Sequence, residues 1–262
     1  MTEAAPDTTV NIDPHLGSRH KTIRGWVFWP AAAIALAFIA FAMLFPSAAE
    51  ATFGAVQTTI VSTFNWYYVL IAAFFVVFAL AMGFSRFGNI KLGQDDDEPE
   101  FSTMSWFALL FAAGMGIGLV FYGVSEPLSH FISPRPGVEG TPAQLAQQAM
   151  SQTFLHWGVH AWSIYVVIGL ALAYAFHRRK RPRTIRWALE PILGARLVQG
   201  AWGNAIDVAA LVGTLFGVAT SLGLGVIQIS AGLDFLGLVP PTIISQAIII
   251  GIITGFVLFS LL

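Results

Sequence analysis

Cysteine is absent from the 262 residues, and charged residues make up only 10% of them. Without cysteine the chain can form neither a disulfide nor a thiolate metal site. Soluble domains carry about 25% charged residues, whereas here 56% of the residues are hydrophobic and the mean hydropathy is +0.72. Lipid is therefore the expected solvent for most of the chain. The net charge of −1 provides no field that would attract nucleic acid.

Six apolar runs are long enough to cross a bilayer, whose hydrocarbon core of about 30 Å needs roughly 20 helical residues. The predicted spans are Trp26–Pro46, Trp66–Phe84, Met104–Val124, Thr153–Phe176, Ala205–Ile229 and Thr242–Leu262. Helices are expected because lipid offers the backbone no other hydrogen-bond partner. The runs predict an all-α membrane protein with a cytoplasmic tail at 1–25 and a membrane domain at 26–262. Since the sixth span ends without a cap or flanking charge, we expect a chain truncated within or just after that helix.

Lysine and arginine are distributed unevenly between the loops, which predicts the orientation. With the N-terminus in the cytoplasm, all but one of the 13 basic residues lie inside, and Arg135 lies outside. The inner loops include the acidic segment Gln94–Glu100, expected to be a solvated turn. They also include Thr184–Val198, a predicted surface helix kinked at Pro191, whose arginines would contact lipid headgroups. On the outer side, Thr141–Pro142 predicts a helix start that leads into the fourth span.

Three alternating glycines, Gly114, Gly116 and Gly118, lie in the middle of the third span, separated by Met115 and Ile117. Each glycine costs a helix about 1 kcal/mol relative to alanine, so the run favours unwinding. Freed carbonyls could then coordinate a cation, and bare Cα atoms would let a ligand approach the backbone. Close helix–helix packing through small residues explains the same pattern, and both explanations stay open. The run lacks the strand context of a dinucleotide-binding loop.

Aromatic residues are concentrated at the start of the fourth span. In one continuous helix, Trp157, Trp162 and Tyr165 would share one side. Aromatic ring faces attract a cation without a buried carboxylate, which suits a quaternary ammonium group that cannot donate hydrogen bonds. An interfacial aromatic belt is the alternative, although Tyr165 would lie about 12 Å deeper than Trp157.

Other polar residues in the spans give weaker indications. His156 and His160 are four residues apart, a spacing that could hold haem or a metal ion, but no second histidine pair occurs in another span. We therefore expect structural histidines that are hydrogen-bonded, and no metal site. Asp207, near the inner end of the fifth span, is expected to be a helix-start charge rather than a proton carrier. Thr214, Thr220 and Ser221 could line an ion path or bond back to their own helix.

Four segments together resemble the betaine/choline/carnitine transporter family, over a match from about Trp26 to the end. They are SRFGNIKLG (Ser85–Gly93), FAAGMGIGLVFYGVSEPL (Phe111–Leu128), FLHWGVHAWSIYVVIGLALAY (Phe154–Tyr174) and GTLFGVATSLGLGVIQISAGL (Gly213–Leu233). The resemblance implies twelve spans, about six of them present here, as two leading helices and part of two inverted five-helix repeats. It also implies alternating access about a midplane site.

The resemblance assigns roles to the motifs. The glycine stretch Gly114–Gly118 would be the unwound segment that meets the substrate, and Trp157, Trp162 and Tyr165 would be aromatic-box residues. The candidate ion-binding residues are Ala112, Met115, Thr214 and Ser221. Val218 stands where sodium-coupled relatives have a threonine, which puts a second sodium site in doubt.

The predicted function is secondary active uptake of a quaternary ammonium compound across a bacterial inner membrane, driven by a proton or sodium gradient. Choline is favoured because GVATS resembles the choline-importing, proton-coupled members, and glycine betaine is next. A carrier of carnitine or an amino acid is one rival, and a redox subunit that uses His156 and His160 is another. We expect no enzymatic activity, no cofactor beyond coupling Na⁺ or H⁺, and by resemblance a homotrimer. Because half of the substrate site would be missing, the chain alone is expected to be inactive.

Overall fold

The computed structural model of the chain describes residues 23–260, and these are mostly helical. The helices are α1 (Gly25–Leu44), α2 (Pro46–Phe84), α3 (Thr103–Gly114), α4 (Gly123–Ile132), α5 (Pro142–Trp157), α6 (Val159–Ala173), α7 (Ile185–Ala188), α8 (Glu190–Leu193), α9 (Ala195–Gln199), α10 (Ala201–Phe235) and α11 (Ile243–Ser260). A 3-10 turn lies at Arg86–Asn89, and π-helical segments lie at Met115–Tyr122 and Tyr174–Arg178. The predicted tail lies outside the described residues except for its last three positions.

Five helical stretches within residues 23–260 are long and apolar enough to cross a membrane. They are α1, α2, the stretch Pro142–Arg178 that contains α5 and α6, α10 and α11. The all-α prediction is confirmed, and these five stretches overlap five of the six predicted spans. The third predicted span differs because its α-helix ends at Gly114 and continues as the π-helical segment Met115–Tyr122.

The second span was predicted too short. Helix α2 begins at Pro46, with Phe45 alone between it and α1, and it has 39 residues. At 1.5 Å per residue it is about 58 Å long, roughly twice the hydrocarbon core. Hydropathy identifies only the part of a helix that is suited to lipid. Proline is tolerated at the first helical position, so Pro46 can begin the helix in a less apolar stretch. The helix therefore starts well before Trp66, where the apolar run was taken to begin.

Large apolar side chains cover the outside, and small residues or aromatic pairs lie between helices. Helix α1 packs on α10, α2 on α6, and α4 on α5. Between α1 and α10 the rings of Phe38 and Phe216 lie 4.4 Å apart. Buried apolar residues of the described chain include the alanines Ala31, Ala49 and Ala149. This distribution is expected in a membrane, because lipid tails are as apolar as leucine side chains. Close packing between helices, rather than burial from water, then holds the helices together.

The predicted inner surface helix is in fact three short helices, α7 to α9, separated at Leu189 and at Gly194, whose φ of 79° favours glycine. Arg186 in α7 is completely buried. Its Nε donates to Asp207 Oδ2 at 2.6 Å and its Nη2 to Asn204 Oδ1 at 2.8 Å. The headgroup prediction is therefore wrong for Arg186, and Asp207 is its buried partner rather than only a helix-start charge.

Two loops that the charge distribution assigned to the same side of the membrane contact each other. Arg178, at the end of the α6 stretch, donates from Nη2 to Asp95 Oδ1 at 2.7 Å and from Nε to the Lys91 carbonyl at 2.9 Å. The acidic turn is therefore tied to this basic side chain as well as exposed to solvent. These contacts join the end of α2 to the end of α6 through their loops.

The predicted helix start in the outer loop is confirmed. Thr141 caps α5, with its Oγ1 accepting a hydrogen bond from the Gln144 backbone N–H and its own N–H donating to Gln144 Oε1 at 2.9 Å. Pro142 is the first helical residue. This capping box starts the helix that carries part of the aromatic motif.

Candidate functional site

The third span leaves α-helical geometry at its glycine run. The backbone of Gly116, at φ −54° and ψ −128°, is non-helical inside the π-helical segment Met115–Tyr122. Beyond this point the Val120 carbonyl accepts a hydrogen bond from Gln228 Nε2 of α10, at 3.0 Å. π-Helical segments are frequent at functional sites. The predicted unwinding is therefore confirmed at the middle glycine, and α10 supplies a partner for the altered backbone.

The other two glycines lie directly against the aromatic motif. A Cβ atom added at Gly114 would lie 2.9 Å from Trp162 Cη2, and one at Gly118 would lie 3.1 Å from Trp157 Cζ3. Neither position has room for a methyl group without movement of the ring. The second explanation of the glycine run, close packing through small residues, is thus also correct. The glycines pack against indole rings rather than against the backbone of another helix. The two motifs predicted to share a site are adjacent.

The fourth span is broken in the middle of the aromatic motif. Gly158, at ψ −140°, ends α5 and precedes α6, so Trp157 lies on one helix and Trp162 on the next. The helix predicted to carry the three aromatic residues is therefore not continuous, although Trp157 and Trp162 both face the glycine run of the third span. Trp162 and Tyr165 stay together on α6, with ring centroids 5.7 Å apart. Within the described chain Tyr165 is 71% exposed and Trp162 46%.

Two residues not predicted from the sequence complete the surroundings of Trp157. The Tyr122 ring stacks on it, with centroids 5.2 Å apart and planes 29° from parallel. The indole Nε1–H of Trp157 donates a hydrogen bond to Glu126 Oε2. A spacing of four residues from Gly118 to Tyr122 and from Tyr122 to Glu126 could have indicated this shared face. Trp157 is therefore held by contacts inside the protein, which an aromatic belt would not require.

Glu126 lies two residues beyond the predicted end of the third span, and its carboxylate accepts several hydrogen bonds. Its Oε1 contacts His156 Nδ1 and lies 3.2 Å from His130 Nε2. Burial raises the pKa of the Glu126 carboxyl, but hydrogen bonds from Trp157, His156 and His130 lower it by more, so that this pKa lies below its ordinary value. The carboxylate is thus expected to be ionised at neutral pH.

The histidine pair of the fourth span is not a pair in the structure. The break at Gly158 separates His156 from His160, so the two no longer occupy successive turns of one helix. His156 Nε2 lies 2.8 Å from Gln152 Nε2, and its Nδ1 contacts Glu126. The expectation of a hydrogen-bonded histidine is confirmed for His156.

Comparison with known proteins identifies the family. The model of the betaine/carnitine/choline family of transporters matches residues 26–262. The chain belongs to this family. Its members are transporters, in agreement with the expectation that the chain is not an enzyme.

Similar proteins include transporters named for different substrates. An uncharacterized transporter of Mycobacterium tuberculosis is 53% identical over 83% of this chain and 37% of its own length. The glycine betaine transporter OpuD of Bacillus subtilis is 44% identical over 89% of this chain and 46% of its own length. The high-affinity choline transport protein of Escherichia coli is 41% identical over 90% and 35%, respectively. The chain thus spans less than half the length of these relatives, and its similarity to the last two is nearly equal.

The predicted ion-binding residues of this family member lie on three elements, α3, the π-helical segment and α10, of which the last two are in contact. Ala112 is in α3 and Met115 follows its end, while Thr214 and Ser221 are on α10, which packs against the π-helical segment. Thr214 Oγ1 donates to the Ala210 carbonyl at 2.8 Å, the local hydrogen bond expected of a threonine in a helix. An ion role for the four residues stays a prediction.

Proposed function

We propose that this chain is part of a secondary transporter that imports a quaternary ammonium compound, choline or glycine betaine, into a bacterial cell. One observation carries the proposal: Gly114 and Gly118 of the third span lie against Trp162 and Trp157, and Tyr165 extends the aromatic surface from Trp162. The backbone of Gly116, where an added Cβ would meet no atom within 4 Å, and the exposed ring of Tyr165 together suit a bulky cation. The names of the glycine betaine and choline transporters among its relatives agree with this substrate class.

The chemistry of the pair Trp162–Tyr165 favours a fully substituted ammonium group. Such a group has no N–H donor, so a carboxylate or carbonyl offers it no hydrogen bond, whereas a ring face attracts it by about 0.5–2 kcal/mol. The carboxylate of Glu126, near Trp157, already accepts hydrogen bonds from three side chains. A primary ammonium group, as in an amino acid, would require acceptors at the site. Carriage of another zwitterion is the alternative, either an amino acid or carnitine, whose ammonium group is also fully substituted.

Transport by alternating access would use the interrupted helices. Both the third and the fourth span break next to the aromatic residues, at Gly116 and Gly158. In inverted-repeat transporters, discontinuous helices form the midplane site about which the bundles rock. We propose the same here, with the N-terminus in the cytoplasm, the inner membrane as location, and a proton or sodium gradient as the driving force. Assembly as a homotrimer belongs to the same proposal.

A chimera tests the substrate proposal. Residues 26–262 replace the matching segment of the Escherichia coli choline transport protein, and uptake of labelled choline, glycine betaine, carnitine and proline is measured in cells without their own systems for these compounds. Uptake of choline or glycine betaine but not of proline is expected. Removing sodium, or collapsing the proton gradient, identifies the coupling ion. Cells that make only residues 1–262 are expected to show no uptake.

Variants of this chimera test the role of the rings. Trp162→Leu removes the aromatic face and should raise the KM for choline about 2- to 30-fold, the equivalent of 0.5–2 kcal/mol, while Trp162→Phe should recover part of the loss. Trp202→Leu is the matched control, because Trp202 is an exposed tryptophan at the start of α10. Equal KM values for Trp162→Leu and Trp202→Leu would contradict the proposal.

A further inference from the structure

Three side chains with metal-ligating atoms converge where α4 packs on α5. Glu126 and His130 lie one helical turn apart on α4, and His156 comes from the last turn of α5. One ligand atom of each lies within 4.8 Å of the others, and the two imidazole rings are 5.5 Å apart. This cluster is distinct from the pair His156 and His160 that the spacing suggested. It forms because the fold brings together residues 30 positions apart.

The donor set has a definite chemical preference. Two imidazole nitrogens and one carboxylate oxygen are the ligands that Zn²⁺ accepts in sites with an open fourth position. Magnesium and calcium instead select sets composed of oxygen atoms. Ligand atoms around a tetrahedral zinc ion are about 3.3 Å apart, given bonds of about 2.0–2.1 Å. Glu126 Oε1 and His130 Nε2 are already separated by 3.2 Å, so shifts on the order of 1 Å among the other pairs would complete the site.

Neighbouring side chains hold two of the three ligands in place. Trp157 Nε1–H donates to Glu126 Oε2, which leaves Oε1 to face the histidines. Gln152 contacts His156 Nε2 and in turn accepts from Arg135 Nη1 at 3.2 Å. With metal on Nδ1, the neutral His156 ring carries its proton on Nε2, and the Gln152 amide rotates to present its oxygen to that proton, which replaces its hydrogen bond from Arg135. Such outer contacts orient ligands and raise metal affinity.

Water and ions can reach the cluster. The side chains of His156 and His130 are 48% and 26% exposed, whereas that of Glu126 is 13% exposed. A buried carboxylate beside two more open imidazoles provides one fixed negative charge and two neutral donors. On binding of a divalent cation, the protons that now join the histidines to Glu126 would move to the other nitrogen of each ring, and the site would carry a net charge of +1 that water or an anion at the open fourth position can offset.

We propose that Glu126, His130 and His156 form a binding site for a divalent transition-metal ion of the zinc class. The ion would link α4 to α5 next to Trp157. The proposal is independent of the transported substrate, since it depends only on contacts within this chain.

Metal titration of the purified 262-residue chain, carrying a tag without histidine, tests the site. ZnCl₂ is added in a calorimeter, and CoCl₂ is added with the visible absorption bands of tetrahedral Co²⁺ as readout. One ion per chain is expected, with no competition from MgCl₂. His130→Ala and His156→Ala should each weaken binding by about tenfold or more. His160→Ala is the matched control and should bind as the parent chain does.

A second variant separates loss of a ligand from loss of the fold. His130→Gln keeps an N–H donor for Glu126 but has no ring nitrogen, so it should retain the parent melting temperature without metal and lose the zinc affinity. Zinc affinity unchanged in His130→Gln, or a Co²⁺ spectrum typical of octahedral coordination, would overturn the proposal. Binding that disappears only when residues 1–22, which contain His15 and His20, are removed would also overturn it.

Discussion

Substitution of Gly114 by alanine tests the contact on which the candidate substrate site depends. The added Cβ would lie 2.9 Å from Trp162 Cη2 and 3.2 Å from Cζ2. Carbon atoms in favourable contact are about 3.5–4.0 Å apart. The indole ring must therefore retreat by about 0.6–1.1 Å, or α3 and α6 must separate. Either movement changes the position of Trp162 relative to Tyr165, whose ring is 5.7 Å away.

The size of the effect follows from two opposing terms. Overpacking of this kind costs about 1–3 kcal/mol, and alanine recovers up to about 1 kcal/mol of helix propensity at the end of α3. A net loss of about 1–2 kcal/mol remains. For a chain of this length that corresponds to a fall in the melting temperature of roughly 2–8 °C. Gly123→Ala is the matched control, because Gly123 is helical and an added Cβ meets no atom within 4 Å.

A double-mutant cycle makes the test specific. Trp162→Phe removes the part of the indole that reaches Gly114, so Gly114→Ala should cost at least about 0.5 kcal/mol less in that background. The four proteins are compared by thermal unfolding in detergent, with intrinsic fluorescence as readout. If Gly114→Ala and Gly123→Ala behaved alike, or if the two changes in the cycle were additive, the contact between Gly114 and Trp162 would be refuted.

The remaining stability predictions concern the inner side of α10. Arg186→Met leaves the buried carboxylate of Asp207 without its partner and should cost about 3–5 kcal/mol, measured by thermal unfolding, whereas Arg196→Met at an exposed position should change little. A melting temperature of Arg186→Met equal to that of Arg196→Met would show that the ion pair does not stabilise the fold. Gly203→Ala would place a Cβ 1.8 Å from the Val198 carbonyl oxygen, so a cost of about 3 kcal/mol or more is expected. A folded, monodisperse Gly203→Ala protein at the parent yield would contradict that contact.

Much of the architecture was predictable because it depends on local composition. A run of about 20 apolar residues is typical of a segment that lies in lipid, so five of the spans were foreseen. Because glycine weakens a helix, unwinding within Gly114–Gly118 was one of the two explanations that the sequence left open. Helix ends were less predictable. The start of α2 at Pro46 rather than Trp66 shows that a helix continues through polar residues that hydropathy assigns to a loop.

The candidate site, too, was predictable only in part. The residue types needed to hold a quaternary ammonium group are visible in the sequence, as are the glycines that allow close approach. The break at Gly158, which puts Trp157 and Trp162 on different helices, could not be read from a helical periodicity that assumes an unbroken helix. Tyr122 was missed for a related reason, since its importance comes from stacking on a ring of another span.

Membrane insertion, helical class and family membership follow from the order of residues along the chain, because hydrophobicity and motif spacing are properties of neighbouring positions. The cluster of Glu126, His130 and His156 and the buried pair of Arg186 with Asp207 were decided only by packing. Each joins residues from separate helices across 20 to 30 positions of sequence, and the distance between such residues depends on how the helices cross. No local pattern carries that information.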